Sequence, residues 1–400
     1  MGRNNPKRTI RFVNTFKPVV PLYEAVFPGL VENGWHPTTL LSRGVYRSQH
    51  ENDKLAGYKE LVWVPSRLQS RKRWCAIFFW LLAPFHLLFV PKTIHVFLTQ
   101  PPLFFILGAV ISKLRGVKYI IHIMDVHPEL LAISGIINVR GYTYRLLSRC
   151  ALNALRHADG IIAIGRCMKD RLTEKGIQES KIRLVSNWAS NRIYPLPEKD
   201  NVFRCQHNLE EKFLVMYSGN MGVPHHFSTI LHVAERLEDI HDIIFVFIGR
   251  GGRRKEIEQA IAGGNKNLLL LDFQPMIILS HSLSAANIHF FSLRPGFEGH
   301  VVPSKFYGML ASGRPVIYEG TTSGEVAQVI HETQVGKVVE PGNKRQLYES
   351  IMYYYNTPSA IESDGQKSYQ IHLERFQESV ASKTYVHSLL ELITANEKAL

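Results

Sequence analysis

Four hundred residues, 45% of them hydrophobic and 20% charged, describe a globular protein of two or three domains and exclude a disordered chain. A formal charge of +13 fits a partner rich in phosphate: a nucleic acid, an anionic membrane face or a phosphorylated small molecule. The cysteines Cys75, Cys150, Cys167 and Cys205 have neither CxxC nor metal-ligand spacing, which gives no reason for disulfides and fits a reducing compartment.

The opening residues, MGRNNPKRTIRFVN, carry no long apolar region after their basic residues, so no signal peptide is expected. Short apolar runs then alternate with helical patterns, as in parallel sheets built from βαβ units. In the first half, strands are expected at 9–14, 38–42, 61–65, 94–99, 119–125, 160–165 and 182–186, with helices between them such as 142–156. Residues 74–90, WCAIFFWLLAPFHLLFV, are almost all apolar and are interrupted by Pro84 and His86. The run falls short of the roughly 20 residues that a spanning helix needs. It follows Arg67, Arg71, Lys72 and Arg73, so a helix at the interface of an anionic leaflet is expected, with a buried core helix and a true span as the alternatives.

The strand ending YIIHIMDVHPE gathers Asp125, His127 and Glu129 at its carboxyl edge, residue types that suit acid–base work or hydroxyl binding. His122, inside that strand, reads as a core histidine. No further ligands are spaced around Asp125 and His127, and no Asp-x-Asp occurs, so no metal is expected. Residues 187–200, NWASNRIYPLPEKD, break the pattern with prolines and turn formers and read as a linker.

A second set of strands is expected at 213–218, 243–248, 268–271, 288–293, 315–318 and 337–339. The first runs into SGNMG, where Gly219 and Gly222, either side of Asn220, let the backbone approach a phosphate ahead of a helix at 225–237. This is neither G-x-G-x-x-G nor a P-loop, and a plain turn reads equally well. The next turn, FIGRGG, sets Arg250 where it meets a phosphate or stacks on a base, whereas Arg253 and Arg254 read as solvated helix-start residues. LLLLDFQP ends in Asp272 and Phe273, an edge suited to a nucleobase or simply a strand end. The stretch SLRPGFEGHVVPSKFYGMLASGRPVIY is the most informative. Its loop carries Glu298, Gly299 and His300 and opens a helix at Pro303-Ser304-Lys305. Free backbone N–H groups and Lys305 suit an anionic ligand, at the carboxyl end of a strand where open α/β sheets bind ligands. An ordinary strand–helix connection is the plain alternative. Glu325 starts the following helix, and residues 368–398 look helical and polar-rich. Two doubly wound α/β domains of similar size would leave a cleft between the carboxyl ends of their sheets, a geometry suited to group transfer.

Together these motifs resemble glycosyltransferase family 4, the retaining nucleotide-sugar transferases with two Rossmann-like domains (GT-B). The likeness runs in order along nearly the whole chain: FVNTFKPVVPLYEAVFPGLVENGWHPTTL, TQPPLFFILGAVISKLRGVKYIIHIMDVHPE, HADGIIAIGRCMKDRL, VSNWAS, MYSGNMG, FIGRGG and EGHVVPSKFYGMLASGRPVI. DVHPE, NWAS, SGNMG and VVPSKFYG look closest to bacterial members that build O antigen, capsule or colanic-acid-like exopolysaccharide. The resemblance implies an acceptor domain at 1–195 with a membrane-facing segment at 67–90, a donor domain at 196–365, and a tail at 366–400 whose helix packs back toward the first domain.

Carried over by position, Gly219, Asn220 and Gly222 would hold the donor diphosphate, and Arg250, Asp272 and Phe273 would surround the nucleoside. Glu298, Gly299, His300, Ser304, Lys305 and Glu325 would lie around the donor sugar and phosphate. Asp125, His127 and Glu129 would face the acceptor and reacting centre, with Lys17 also on the acceptor side; Asp125, His127, Glu298 and Lys305 would be catalytic. Two departures stand out. Counted back from Gly313-Arg314-Pro315, the family's E-x7-E glutamates fall at His300 and Gly308, and NMGVPHH replaces the usual arginine and lysine after the first strand of the second domain. The implied activity is retaining transfer from a UDP- or GDP-linked sugar to a lipid-diphosphate-linked saccharide at the inner face of the cytoplasmic membrane, without metal, cofactor or nucleic acid. A nucleotide-sugar 2-epimerase on the same fold and a non-enzymatic binder of an anionic polymer are the rivals.

Overall fold

The computed structural model describes residues 8–14, 20–42, 58–69, 71–199 and 201–395; Lys17 lies outside them. The chain forms two compact units, one of Met1–Ser186 with Gly299–Val301 and Ala381–Leu400, the other of Asn187–Glu298 with Val302–Val380.

The first unit is built on seven parallel strands: β1 (Arg8–Val13), β2 (Trp35–Ser42), β3 (Lys59–Val62), β4 (Ile94–Leu98), β5 (Tyr119–Ile123), β6 (Gly160–Ala163) and β7 (Ile182–Leu184). Their order is β3-β2-β1-β4-β5-β6-β7, so the winding reverses between β1 and β4. Helices α1 (Val20–Glu32), α2 (Lys72–Phe89), α3 (Phe104–Arg115), α4 (Glu129–Ile133), α5 (Tyr142–Arg156) and α6 (Arg166–Glu174) make the connections. Central strands covered on both faces read as continuous apolar runs, and β5 is buried along its whole length. Strand β2 starts earlier than the sequence suggests and runs through Pro37. Pairing with β3 begins only at Thr39–Lys59, so the missing N–H breaks no ladder on that side.

The apolar segment forms one uninterrupted helix, α2, through Pro84. It is neither wholly core nor wholly surface. Cys75, Phe79, Ala83 and Leu87, four residues apart, are fully buried, while Leu81, Phe85 and Phe89 are 58%, 61% and 83% exposed. Arg115 of α3 donates to the carbonyls of Leu87 (2.6 Å) and Val90 (2.5 Å), satisfying the end of α2. Among the described residues no helix is long and apolar enough to cross a membrane.

The last described helix, Glu378–Ala395, belongs to the first unit from Ala381 onward. Tyr385 Oη lies 3.2 Å from His122 Nδ1, and Lys118 Nζ donates to the Ile393 carbonyl at 2.9 Å. A Cβ on Gly160 would stand 2.7 Å from Leu392 Cδ1, so β6 is closed over by this helix.

The second unit carries six parallel strands: β8 (Phe213–Ser218), β9 (Ile243–Ile248), β10 (Leu268–Leu271), β11 (Ile288–Ser292), β12 (Val316–Glu319) and β13 (Gly336–Val339). The order β10-β9-β8-β11-β12-β13 reverses between β8 and β11. Its helices are α7 (Val202–His207), α8 (Ser228–Arg236), α9 (Arg254–Ala262), α10 (Leu279–Ser284), α11 (Lys305–Ala311), α12 (Glu325–Thr333), α13 (Lys344–Asn356) and α14 (Pro358–Ile371). The turn-rich segment after Ser186 is packed rather than loose. Ala189 and Ile193 are buried, and the Tyr194 and Leu196 amides donate to Ser280 Oγ (3.3 Å) and Ser284 Oγ (3.1 Å) of α10. The tail is not one helix: α14 gives way to a π-helical turn at His372–Phe376, and the Phe376 carbonyl accepts from the Ala189 amide at 3.2 Å.

Candidate functional site

Ligands bind open parallel sheets beyond the strand carboxyl ends where the winding reverses. In the second unit that point lies between β8 and β11, and the glycine turn after β8 meets the start of α11 there. Gly219 has φ +144°, and a Cβ on it would stand 3.0 Å from Lys305 Cε. Gly249, at the end of β9, has φ +141°, and its Cβ would fall 2.0 Å from the Gly219 carbonyl oxygen. Only glycine fits either position. The turns are laced together: the Met221 amide donates to the Arg250 carbonyl (2.9 Å) and the Arg253 amide to the Met221 carbonyl (3.1 Å).

Lys305 reaches over the first turn. Its ammonium donates to Tyr217 Oη, lies 3.1 Å from His225 Nε2 and 3.4 Å from the Asn220 carbonyl oxygen, and sits 3.9 Å over the Tyr217 ring. Among the described residues no carboxylate lies within ion-pair distance of it. Burial without a counter-charge holds its pKa well below the usual lysine range. Burial, with the Lys305 charge adding to it, pushes His225 down to about 3, so the ring is neutral. Asn220 is exposed, and its carbonyl also accepts from Tyr217 Oη at 2.7 Å. Gly222 closes the turn, where a Cβ would stand 2.9 Å from Asn220 Nδ2.

Arg250 forms a two-point pair with Asp272, Nε–Oδ1 at 3.1 Å and Nη2–Oδ2 at 2.7 Å. Phe273, next in sequence to Asp272, is half exposed and lies against the Gly249 turn, where a Cβ on Gly249 would stand 3.4 Å from its Cε1. Arg254 and Arg253, read from the sequence as solvated, are instead engaged. Arg254 donates to the Gly249 and Leu271 carbonyls and pairs with Asp272 at 3.2 Å, while Arg253 donates to the His225 carbonyl at 2.5 Å. Glu298 Oε2 accepts from the Gly296 amide at 2.7 Å, and its Cγ lies 3.7 Å from where a Cβ on Gly324 would stand, at the start of α12. Glu325 is buried in the first turn of α12, and Ser304 is exposed at the start of α11.

A second cluster lies in the first unit, beyond β5. Thr99 Oγ1 accepts from the Met124 and Asp125 amides, both at 3.1 Å, and Asp125 bridges to Val301. Burial pushes the Asp125 carboxyl up to about 6 against an opposing hydrogen bond from Gln100. Burial also lowers His127 to about 4 in spite of the nearby Glu129 charge. Glu129 is engaged by Lys175. Gly299 and His300 belong to this unit: the His300 carbonyl accepts from the Val126 amide at 2.9 Å, and a Cβ on Gly299, at φ +70°, would stand 2.8 Å from the Cys167 carbonyl oxygen. Burial and then the Arg171 charge lower His300 to about 4.

The structure thus assembles Gly219, Asn220 and Lys305 at one point, Arg250, Asp272 and Phe273 at a second, and Asp125, His127, Glu129, Gly299 and His300 at a third. Tyr217 and His225 join the first site without having been singled out from sequence, and Arg254, read there as solvated, joins the second. Their signal was there only as residue types: an aromatic ending a strand, and a histidine and an arginine just after glycine turns. Among the described residues no group of three or more histidines, cysteines or carboxylates could hold a metal ion.

Residues 24–188 match the model of a glycosyl transferase 4-like domain, and residues 212–357 that of glycosyl transferases group 1. The chain is 26% identical over 255 residues to the probable glycosyltransferase WbjE of Pseudomonas aeruginosa, covering 63% of this chain and 64% of that protein. It is 25% identical over 248 residues to the putative colanic acid biosynthesis glycosyl transferase WcaI of Escherichia coli K12, covering 60% and 61%. Both matches therefore span somewhat less than two thirds of the relative. The crystal structure of Anabaena HepE in complex with UDP superimposes with a TM-score of 0.71 at 13% identity, over 96% of this chain and 100% of that one, and so shares its fold. With two family domains in succession over the two parallel-sheet units, the chain belongs to the glycosyltransferase 4-like family, of GT-B architecture.

Proposed function

We propose that this protein is a retaining glycosyltransferase that moves a sugar from a nucleoside-diphosphate donor to a lipid-linked saccharide in polysaccharide assembly. The observation that carries the reading is Lys305: a half-buried ammonium, with no carboxylate in ion-pair distance among the described residues, seated on a glycine turn at the point of winding reversal. Such a cation lacks an anion, and a diphosphate supplies one. In the reaction the bond from the anomeric carbon to the β-phosphate oxygen breaks, and the acceptor oxygen bonds that carbon on the face being vacated. The departing diphosphate keeps the electron pair, and Lys305 with the backbone amides of the turn stabilises its charge. Arg250, Asp272 and Phe273 hold the nucleoside, and Asp125 takes the acceptor proton. The family, the names of the two bacterial relatives and the UDP in HepE support this reading. All the cationic work is assigned to side chains, so no metal is required.

The test is a melting panel with UDP, GDP, ADP and CMP, each with and without magnesium. One diphosphate is expected to raise the Tm by a few degrees at about 100 times its Kd, CMP not at all, and magnesium to make no difference. A protein whose melting no nucleotide changes is not a nucleotide-sugar transferase.

The exposed face of α2, with Arg67 and Arg71 beside it, fits the acyl boundary of an anionic leaflet, and we assign it to peripheral attachment on the cytoplasmic face. Leu81→Asp with Phe85→Asp is expected to weaken cosedimentation with anionic vesicles by tenfold or more, since each side chain contributes about 1.5–3 kcal/mol on burial. Added salt is expected to weaken wild-type binding as well. Cosedimentation indifferent to lipid charge, salt and both substitutions would remove the membrane assignment.

A further inference from the structure

We infer that His225 is the positioning residue for Lys305, presenting a bare ring nitrogen that holds the ammonium over the Gly219 turn. The inference rests on the donor site proposed above and names the group that sets its geometry.

The tautomer follows from the partners. His225 Nδ1 lies 2.5 Å from the Ser292 carbonyl oxygen, which can only accept, so Nδ1 carries the proton. In a neutral ring Nε2 is then a lone-pair acceptor, and Lys305 Nζ lies 3.1 Å from it. The backbone that carries the ring is fixed as well. The His225 amide donates to the Gly222 carbonyl (3.1 Å), its carbonyl accepts from Arg253 (2.5 Å), and the Tyr217 ring meets its edge at 5.9 Å. The next residue is fixed to the same strand end: Ser292 Oγ accepts from the His226 amide (3.0 Å) and donates to its carbonyl (2.6 Å). His225 therefore ties the loop after β8 to the end of β11, the two strands flanking the winding reversal, and Lys305 docks on that tie.

A lysine needs such a dock. Its long stem has many rotamers, and a buried ammonium needs acceptors for its protons. Tyr217 Oη and His225 Nε2 take two of them, and the third contact, to the Asn220 carbonyl at 3.4 Å, is the longest. An incoming phosphate oxygen replaces that long bond while the other two hold the ammonium in place. The charged and titratable groups facing His225 are Lys305, Arg253 and His226. Among the described residues no carboxylate acts on the His225 ring to draw a second proton onto it, and the nearby Glu319 is bonded to His226 at 2.8 Å.

The test compares the wild type with His225→Ala, His225→Gln, Lys305→Ala and the His225→Ala/Lys305→Ala pair. Each is titrated calorimetrically from pH 6 to pH 10 with whichever of UDP, GDP and ADP binds the wild type best. His225→Ala is expected to lose about tenfold in affinity. Its alkaline loss of binding should move to lower pH by about one unit, since an ammonium deprived of an acceptor deprotonates more easily. Glutamine, whose amide oxygen reaches the Nε2 position, should restore both, and the double variant should bind no more weakly than Lys305→Ala. If the alanine protein does not fold, His225→Leu keeps the volume without the acceptor and carries the comparison. Binding that Lys305→Ala weakens and the His225 variants leave unchanged in strength and pH profile overturns the inference alone, as do fully additive losses. A wild type that binds no nucleoside diphosphate overturns the donor site and the inference together.

Discussion

Lys305→Met is expected to lower turnover about a hundred- to a thousandfold, the cost of removing one fixed donor from the charge that develops on a leaving group. Methionine keeps the length and apolar stem, so the packing over the Tyr217 ring survives while the charge does not. The pH dependence carries the sharper signature. Burial holds the Lys305 pKa below its ordinary value in the empty site, and a bound diphosphate raises it. Between the empty-site and bound values, binding takes up a proton, and affinity falls as pH rises through the empty-site value. Calorimetry in two buffers of different ionisation enthalpy is expected to show that uptake in the wild type and none in Lys305→Met. The stability of the unliganded protein runs the opposite way. An unfolded lysine binds its proton more tightly than this buried one, so this group's contribution rises with pH up to the ordinary lysine range. Lys305→Met removes that slope and is expected to raise the Tm near neutrality. Full turnover in Lys305→Met would end the assignment.

The strands were legible because a parallel strand covered on both faces must be apolar throughout, and IIFVFI in β9 or FLVMYS in β8 leaves little choice. Their carboxyl ends were harder to place. The run that reads as a strand to Asp125 ends at Ile123, because the next two amides are taken by the Thr99 hydroxyl rather than by a neighbouring strand. The helix expected from His225 begins at Ser228. His225 and His226 are held by Ser292, far along the chain, and no local pattern announces such a partner. The same limit governs the site. Gly219 and Lys305 were readable as a glycine turn and a helix start, both local features. Tyr217, His225 and Arg254 matter through contacts that only the fold creates, and the ion pair of Glu129 with Lys175 is equally invisible before folding. For α2 the sequence showed how much apolar surface there was but not its division into a buried stripe and an exposed one.

Asp125→Asn is expected to cost about a hundred- to ten-thousandfold in kcat, the range associated with a positioned general base. A base works best with a pKa near the working pH. Asp125, raised to about 6 by burial, lies closer to it than His127, lowered to about 4. Wild-type kcat should therefore fall as pH drops through about 6, and the residual rate of Asp125→Asn should lack that limb. Stability is expected to move the other way. A carboxyl whose folded pKa is raised from 3.8 to about 6 binds more protons folded than unfolded in that window, so its contribution falls as pH rises through it. At pH 7 the ionised side chain then costs at most about 3 kcal/mol, and an isosteric neutral amide avoids that cost. The amide should preserve nucleotide binding, since Gly219, Lys305 and Arg250 belong to the other unit. A variant that loses activity, gains melting temperature and keeps its nucleotide affinity would mark a group held ionised in a poorly solvated position for its chemistry. A variant that loses activity and stability together, with the acid limb unchanged, would instead mark Asp125 as a support for the loop after β5.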